Sequence, residues 1–201
     1  MSTNLQTNSI ESFLNSLAAK TSTPGGGAVA AITGAHGCAL ISMVCQFSTN
    51  FEDATQMDNR AQQARASFLN LAQADIEAFN MVMAAYQQPK NEIGREVNIQ
   101  SSLLQAAEAP RAMMVLANSL IDDTLTLLQR GNKNLITDTG MIAILIETTI
   151  RSSELNILVN LKSINDESYK TEVISEIMEC KSRLKELERV TDQIRQSLQV
   201  S

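Results

Sequence analysis

The chain has 201 residues, a formal net charge of −6 and 3% aromatic residues with no tryptophan, and its isoelectric point lies near 4.9. That balance argues against a phosphate-backbone-binding surface, which needs clustered Lys and Arg, and the scarcity of aromatics argues against a platform for stacked bases. The length fits one domain with a substantial core, and no shift in composition marks a second, so residues 1–201 are read as one unit.

In chain order, residues 10–19 predict a short opening helix with Ser9 as N-cap. The break Thr23-Pro24-Gly25-Gly26-Gly27 then opens a second helix, whose apolar run 28–47 approaches the length of a bilayer span. Its Ala and Gly add little hydrophobicity, and Thr33, His36, Ser42 and Gln46 interrupt it, so a core helix through the middle of the fold is expected. Ala30, Gly34, Gly37 and Ala39 keep that helix thin enough for close neighbours. Over 61–86, Phe68, Leu71, Phe79, Val82 and Tyr86 recur at helical spacing, and Pro89 ends the element. A further helix is predicted over 97–130, kinked or broken at Pro110, followed by a turn at Gly131-Asn132-Lys133-Asn134. Residues 140–161 are apolar on several faces and should be enclosed. In the last helix Ile177, Cys180, Leu184, Leu187, Thr191, Ile194 and Leu198 form a seam against the bundle or a second subunit. No stretch alternates as a strand does. The expected fold is an all-α, single-domain helical bundle with a long central helix. Two enclosed helices leave few elements to cover them, so a homodimer is expected.

The N-terminus has no basic segment followed by an apolar core. Cys38, Cys45 and Cys180 show no CxxC spacing and read as small core residues in a reducing compartment. A cytoplasmic protein, neither bound to nucleic acid nor set in a membrane, is expected.

Polar residues that interrupt the core pattern are the candidates for chemistry. Asp75 falls between Leu71 and Phe79 on an apolar face, where a carboxylate is costly unless paired or protonated. It is either a structural carboxylate bonded to a neighbouring helix terminus or to an Arg, or a carboxyl tuned toward neutrality for proton transfer. Thr149, Ser153, Asn156 and Asn160 draw a hydrogen-bonding stripe down the enclosed helix, serving as interhelical glue or facing a polar ring system. Asp138 is an N-cap or a loop carboxylate at a helix mouth, and the neighbouring Thr137 suits the same cap. The TPGGG stretch offers N–H groups at a helix start to an anion or carbonyl oxygen, or is only a turn into a tightly packed helix; no Walker sequence is present. His36, the sole histidine, reads as a satisfied core residue, and without a second His no metal site is expected.

Four segments, "STPGGGAVAAITGAHG", "ADIEAFNMVMAAYQQPKN", "GNKNLITDTG" and "NILVNLKSINDE", occur in the order and spacing of the cyclodeaminase/cyclohydrolase family of folate enzymes, which the chain resembles over nearly its whole length. The resemblance implies an all-helical homodimer. Its substrate would be a tetrahydrofolate derivative, with no separate cofactor and no metal. Such an enzyme either cyclises 5-formimino-tetrahydrofolate to 5,10-methenyl-tetrahydrofolate with loss of ammonia, or hydrolyses the methenyl form to 10-formyl-tetrahydrofolate. Asp75 would be the general acid/base and Asp138 a catalytic carboxylate that binds the pterin or positions water. Pro24, Gly25, Gly26, Gly27, Lys90, Thr137, Asn156 and Asn160 would bind substrate. At 47–51 the chain reads "FSTNF" where the family often has a basic, aromatic-ended segment suited to the folate's glutamate carboxylates; Lys90 would partly compensate. The competing reading is a non-catalytic helical dimer that binds another ligand or a protein partner.

Overall fold

The computed structural model describes residues 7–48 and 51–199; the variant segment at 47–51 therefore lies partly outside the described residues, as does the start of the N-terminal stretch. The order is α1 (Ile10–Ala18), α2 (Gly26–Gln46), α3 (Ala54–Gln87), α4 (Arg95–Ser119), α5 (Ile121–Arg130), a 3₁₀ turn at Lys133–Leu135, α6 (Ile136–Leu161), α7 (Glu167–Ser182) and α8 (Leu184–Ser197), with no strand among the described residues. Ser9 caps α1 as its sequence predicts, accepting the Ser12 N–H at 3.1 Å.

α2 is the axis of the bundle. It is long and apolar enough to cross a membrane by length and composition, and here α3 and α6 enclose it. The small residues explain the fit. A Cβ at Gly34 would stand 2.7 Å from the Phe68 ring on α3, and one at Gly37 would stand 3.0 Å from Ile146 on α6. The paired positions 27 with 75 and 34 with 68 make α2 and α3 antiparallel, and 26 with 156 and 37 with 146 do the same for α2 and α6. Because Phe68 is fully buried, it has no room to retreat. Gly34→Ala is expected to cost about 1–3 kcal/mol of stability by overpacking, read from the denaturation midpoint.

The structure moves three sequence expectations. The core face of α3 is lined mostly by alanines, from Ala61 through Ala64, Phe68, Ala72, Ala78 and Val82 to Ala85, while Leu71 is half-buried and Phe79 and Tyr86 are exposed. Small residues bring the helix axes close, so the larger side chains are displaced to the flanks. Second, the 97–130 helix does not break at Pro110, which sits inside α4. It breaks at Leu120, whose N–H turns back to Ala117 and Asn118. Third, the C-terminal seam belongs to two helices that part at Arg183. Ile177, Cys180, Leu184, Leu187 and Ile194 are buried, Val190 is buried where Thr191 was expected, and Leu198 is exposed. The seam packs on α4, α5 and α6 of the same chain.

Candidate active site

Along the α3 core stripe, Asp75 takes the place between Ala72 and Ala78 where an apolar side chain would continue the pattern. It meets the first turn of α2. The Ala28 N–H donates to its carboxylate, while burial pushes its pKa up from the ordinary 3.8 and outweighs that bond. α2 has no side-chain cap of its own, so Asp75 supplies an acceptor to an N–H that the helix cannot satisfy internally. Gly27 makes the approach feasible: a Cβ there would fall inside the Asp75 carboxyl group.

Beside this contact lies a cavity of about 340 Å³, lined by Ser22, Thr23 and Gly25 to Gly27 from the turn and α2, by Asp75, Phe79 and Val82 from α3, by Ala106 from α4, and by Asn156, Val159 and Asn160 from α6. Phe79, Val82, Val159 and Ala106 give it apolar walls. Gly26 and Gly27 lie in the first turn of α2, whose N–H groups have no intrahelical acceptor. Asn160 spends both amide hydrogens on the protein and Asn156 at least one. Asn156 Nδ2 donates to Ser152 O at 2.8 Å, and Asn160 Nδ2 donates to Asn156 O at 2.9 Å and to Ala106 O at 3.2 Å. The polar stripe of α6 thus divides: Thr149 and Ser153 are fully buried inside the bundle, whereas Asn156 and Asn160 face the cavity. A carboxyl with a raised pKa, helix-start N–H groups and amide oxygens around a largely apolar space suit proton transfer on a flat, polar-edged ligand.

Residues 9–179 match the family model described as formiminotransferase-cyclodeaminase. The chain belongs to that family. It is 35% identical to a methenyltetrahydrofolate cyclohydrolase of Methylorubrum extorquens over 84% of this chain and 86% of the relative. It is 30% identical to the formimidoyltransferase-cyclodeaminase of Rattus norvegicus over 81% of this chain, but spans only 32% of that longer protein. The crystal structure of a formiminotetrahydrofolate cyclodeaminase from Thermotoga maritima superposes with a TM-score of 0.87 at 28% identity, covering 96% of this chain and 98% of that one. The helical bundle is therefore the family fold.

Not every residue that the resemblance singles out reaches the cavity. Pro24 lies between two lining residues, joined to Thr23 by a cis peptide bond, without lining the space itself. Lys90 is exposed in the connection between α3 and α4 and does not border it. Asp138 is neither N-cap nor cavity residue. It sits in the first turn of α6, with Leu135 at the cap and Thr137 exposed beside it. Eighteen residues of continuous helix separate it from Asn156, about 27 Å at the α-helical rise. Within one subunit Asp75 and Asp138 are thus not a pair. His36 is also corrected: it is exposed, on a groove between α1 and α2 shared with Phe13, Leu14 and Val29, because α1 buries no residue of its own and covers that side incompletely. All three cysteines are free and buried, and burial pushes the Cys38 and Cys45 thiols up to about 12, far from a nucleophilic thiolate at neutral pH.

The sequence reading missed Phe79 and Ala106 as cavity walls. Phe79 stands one helical turn after Asp75, a spacing that shares a face. Ala106 stands four residues before Pro110 and so carries the carbonyl that the proline cannot satisfy.

Proposed function

We propose that this chain is a folate one-carbon enzyme of the cytoplasm, acting on the carbon carried between N5 and N10 of tetrahydrofolate. It either cyclises the 5-formimino form to the 5,10-methenyl form with release of ammonia, or hydrolyses the methenyl form to 10-formyl-tetrahydrofolate. The observation that carries the reading is the Asp75 carboxyl, pushed up by burial and fixed at the start of α2 beside the cavity. In hydrolysis it takes a proton from the water that attacks the bridging carbon, and returns one to N5 as the carbon–nitrogen bond breaks. In cyclisation it takes the proton lost by N10 on attack and delivers it to the departing nitrogen. Both are general acid/base steps. Relatives that cover most of their length with this chain bear both kinds of name, so the assay offers both substrates and follows the near-ultraviolet absorbance of the methenyl form. Turnover of neither, with no binding of either, would leave a helical binding protein.

The site is completed by a second copy. Thr137, Met141, Ile144, Thr148, Ser152, Leu155 and Val159 fall within about 40° of one line along α6, and Met141, Leu155 and Val159 are 48%, 69% and 63% exposed. An apolar face this open suits an isologous contact. Antiparallel pairing of two α6 helices about Thr148 sets the partner's Thr137 against Val159 of the cavity wall, and the partner's Asp138 on the flank that carries Asn156. Both carboxylates then reach one site. Asp75→Asn and Asp138→Asn, each inactive alone, are expected to regain about a quarter of parental activity when mixed and re-paired at random, because each mixed dimer holds one intact site. Mixed dimers with no regained activity would overturn the arrangement.

A further inference from the structure

A hydrogen bond between two helices joins Pro110, Ala106 and Asn160 in one arrangement. A proline inside a helix lacks the N–H that would bond the carbonyl four residues before it. Pro110 is buried within α4, so Ala106 O loses its helical donor at a place where water is scarce. Asn160 fills the vacancy from α6, its Nδ2 donating to Ala106 O at 3.2 Å and to Asn156 O at 2.9 Å. Flipping the amide would set its oxygen against two carbonyl oxygens, so the orientation is fixed by the partners themselves. With both amide hydrogens engaged, Oδ1 is what Asn160 has left to offer the cavity it lines. Asn156 is held by one bond, its Nδ2 donating to Ser152 O at 2.8 Å.

We propose that Pro110 is a positioning residue of the site: the carbonyl it frees at Ala106 locks the Asn160 amide so that its oxygen reads a ligand edge carrying N–H donors. The inference rests on the folate reading for the nature of that ligand, an amino-bearing, N–H-bearing bicyclic ring. At Asn160 the cavity wall then presents an acceptor, and a ring whose edge at that point carries an acceptor is rejected, because an unpaired buried polar group is expensive.

Pro110→Ala tests it. The substitution restores a helical N–H to Ala106 O and removes a helix-breaking residue, so the variant should melt at or above the parent. Its affinity for 5-formyl-tetrahydrofolate, measured by calorimetry, should fall about tenfold, the scale of one hydrogen bond. Asn160→Leu should lose a similar factor, and the double variant should lose no more than Asn160→Leu alone. Unchanged affinity in Pro110→Ala, or losses that add in the double variant, would overturn the proposal. A ligand-free readout separates this from the folate reading. The Asn160 Nδ2 protons should exchange slowly in the parent and faster in Pro110→Ala by NMR; equal exchange in the two overturns the positioning role. Should the parent bind no 5-formyl-tetrahydrofolate, the folate reading falls, and the exchange comparison alone decides the role of Pro110.

Discussion

Asp75→Asn should abolish most turnover while leaving the fold intact, a separation that distinguishes a proton carrier from a structural cap. The asparagine keeps an oxygen for the Ala28 N–H and nearly the same volume, so packing of α3 against α2 is preserved. What it loses is the exchangeable carboxyl proton, and loss of a positioned general acid/base costs on the order of 10²- to 10⁴-fold in kcat. Stability should move the other way. Burial raises the folded-state pKa of Asp75 above its ordinary 3.8, so between those two values the folded protein binds more protons than the unfolded chain. The stability cost of the ionised carboxylate therefore grows as pH rises through that window and stays constant above it. The variant has no such cost. Its stability relative to the parent should improve from acid toward neutral pH in parallel melts, and the parent's kcat/KM should show a limb whose apparent pKa lies above the usual carboxylate value. If the variant keeps full turnover and only melts earlier, Asp75 is a cap for α2 and nothing more.

How far the site was legible depends on the kind of signal each residue carries. Asp75 stood out because a carboxylate on an apolar helical face has no packing reason to be there. The register around it was less legible. The alanine-lined face of α3 is weak in a hydrophobicity pattern, so the large flanking residues Leu71, Phe79 and Tyr86 mimicked a core face although they only border it. Pro110 misled for a related reason. A proline predicts a break, but here Asn160, some fifty residues later, supplies the missing hydrogen bond and α4 continues through it. No local rule links those two positions. Asp138 shows the limit most clearly: its place in a motif pairs it with Asp75, and one helix length separates them in a single chain. Periodicity locates a residue on a face, whereas the distance between faces requires the packed bundle.

The three glycines of the TPGGG turn should prove unequal, and Gly27→Ala should be the costly change. At Gly25 a Cβ meets nothing within 4 Å, and at Gly26 it would make only an ordinary 3.8 Å contact with Asn156 Oδ1. At Gly27 it would occupy the volume of the Asp75 carboxyl, and α2 has little freedom to shift away, since the same helix is held a few turns on by Phe68 against Gly34 and Ile146 against Gly37. The carboxyl must therefore leave, giving up the Ala28 N–H and its place in the site. The expected loss is about 1–3 kcal/mol of stability, as for other overpacked positions. Turnover should fall close to that of Asp75→Asn, while Gly25→Ala stays near the parent in stability. Combining Gly27→Ala with Asp75→Ala isolates the cause. Removing the carboxyl makes room for the new methyl group, so the double variant should melt above Gly27→Ala alone yet remain inactive, a coupling that two independent lesions would not show. A Gly27→Ala enzyme that turns over and melts like the parent would mean that the carboxyl does not rest on the start of α2, and the proton-transfer role assigned to it would go with that contact.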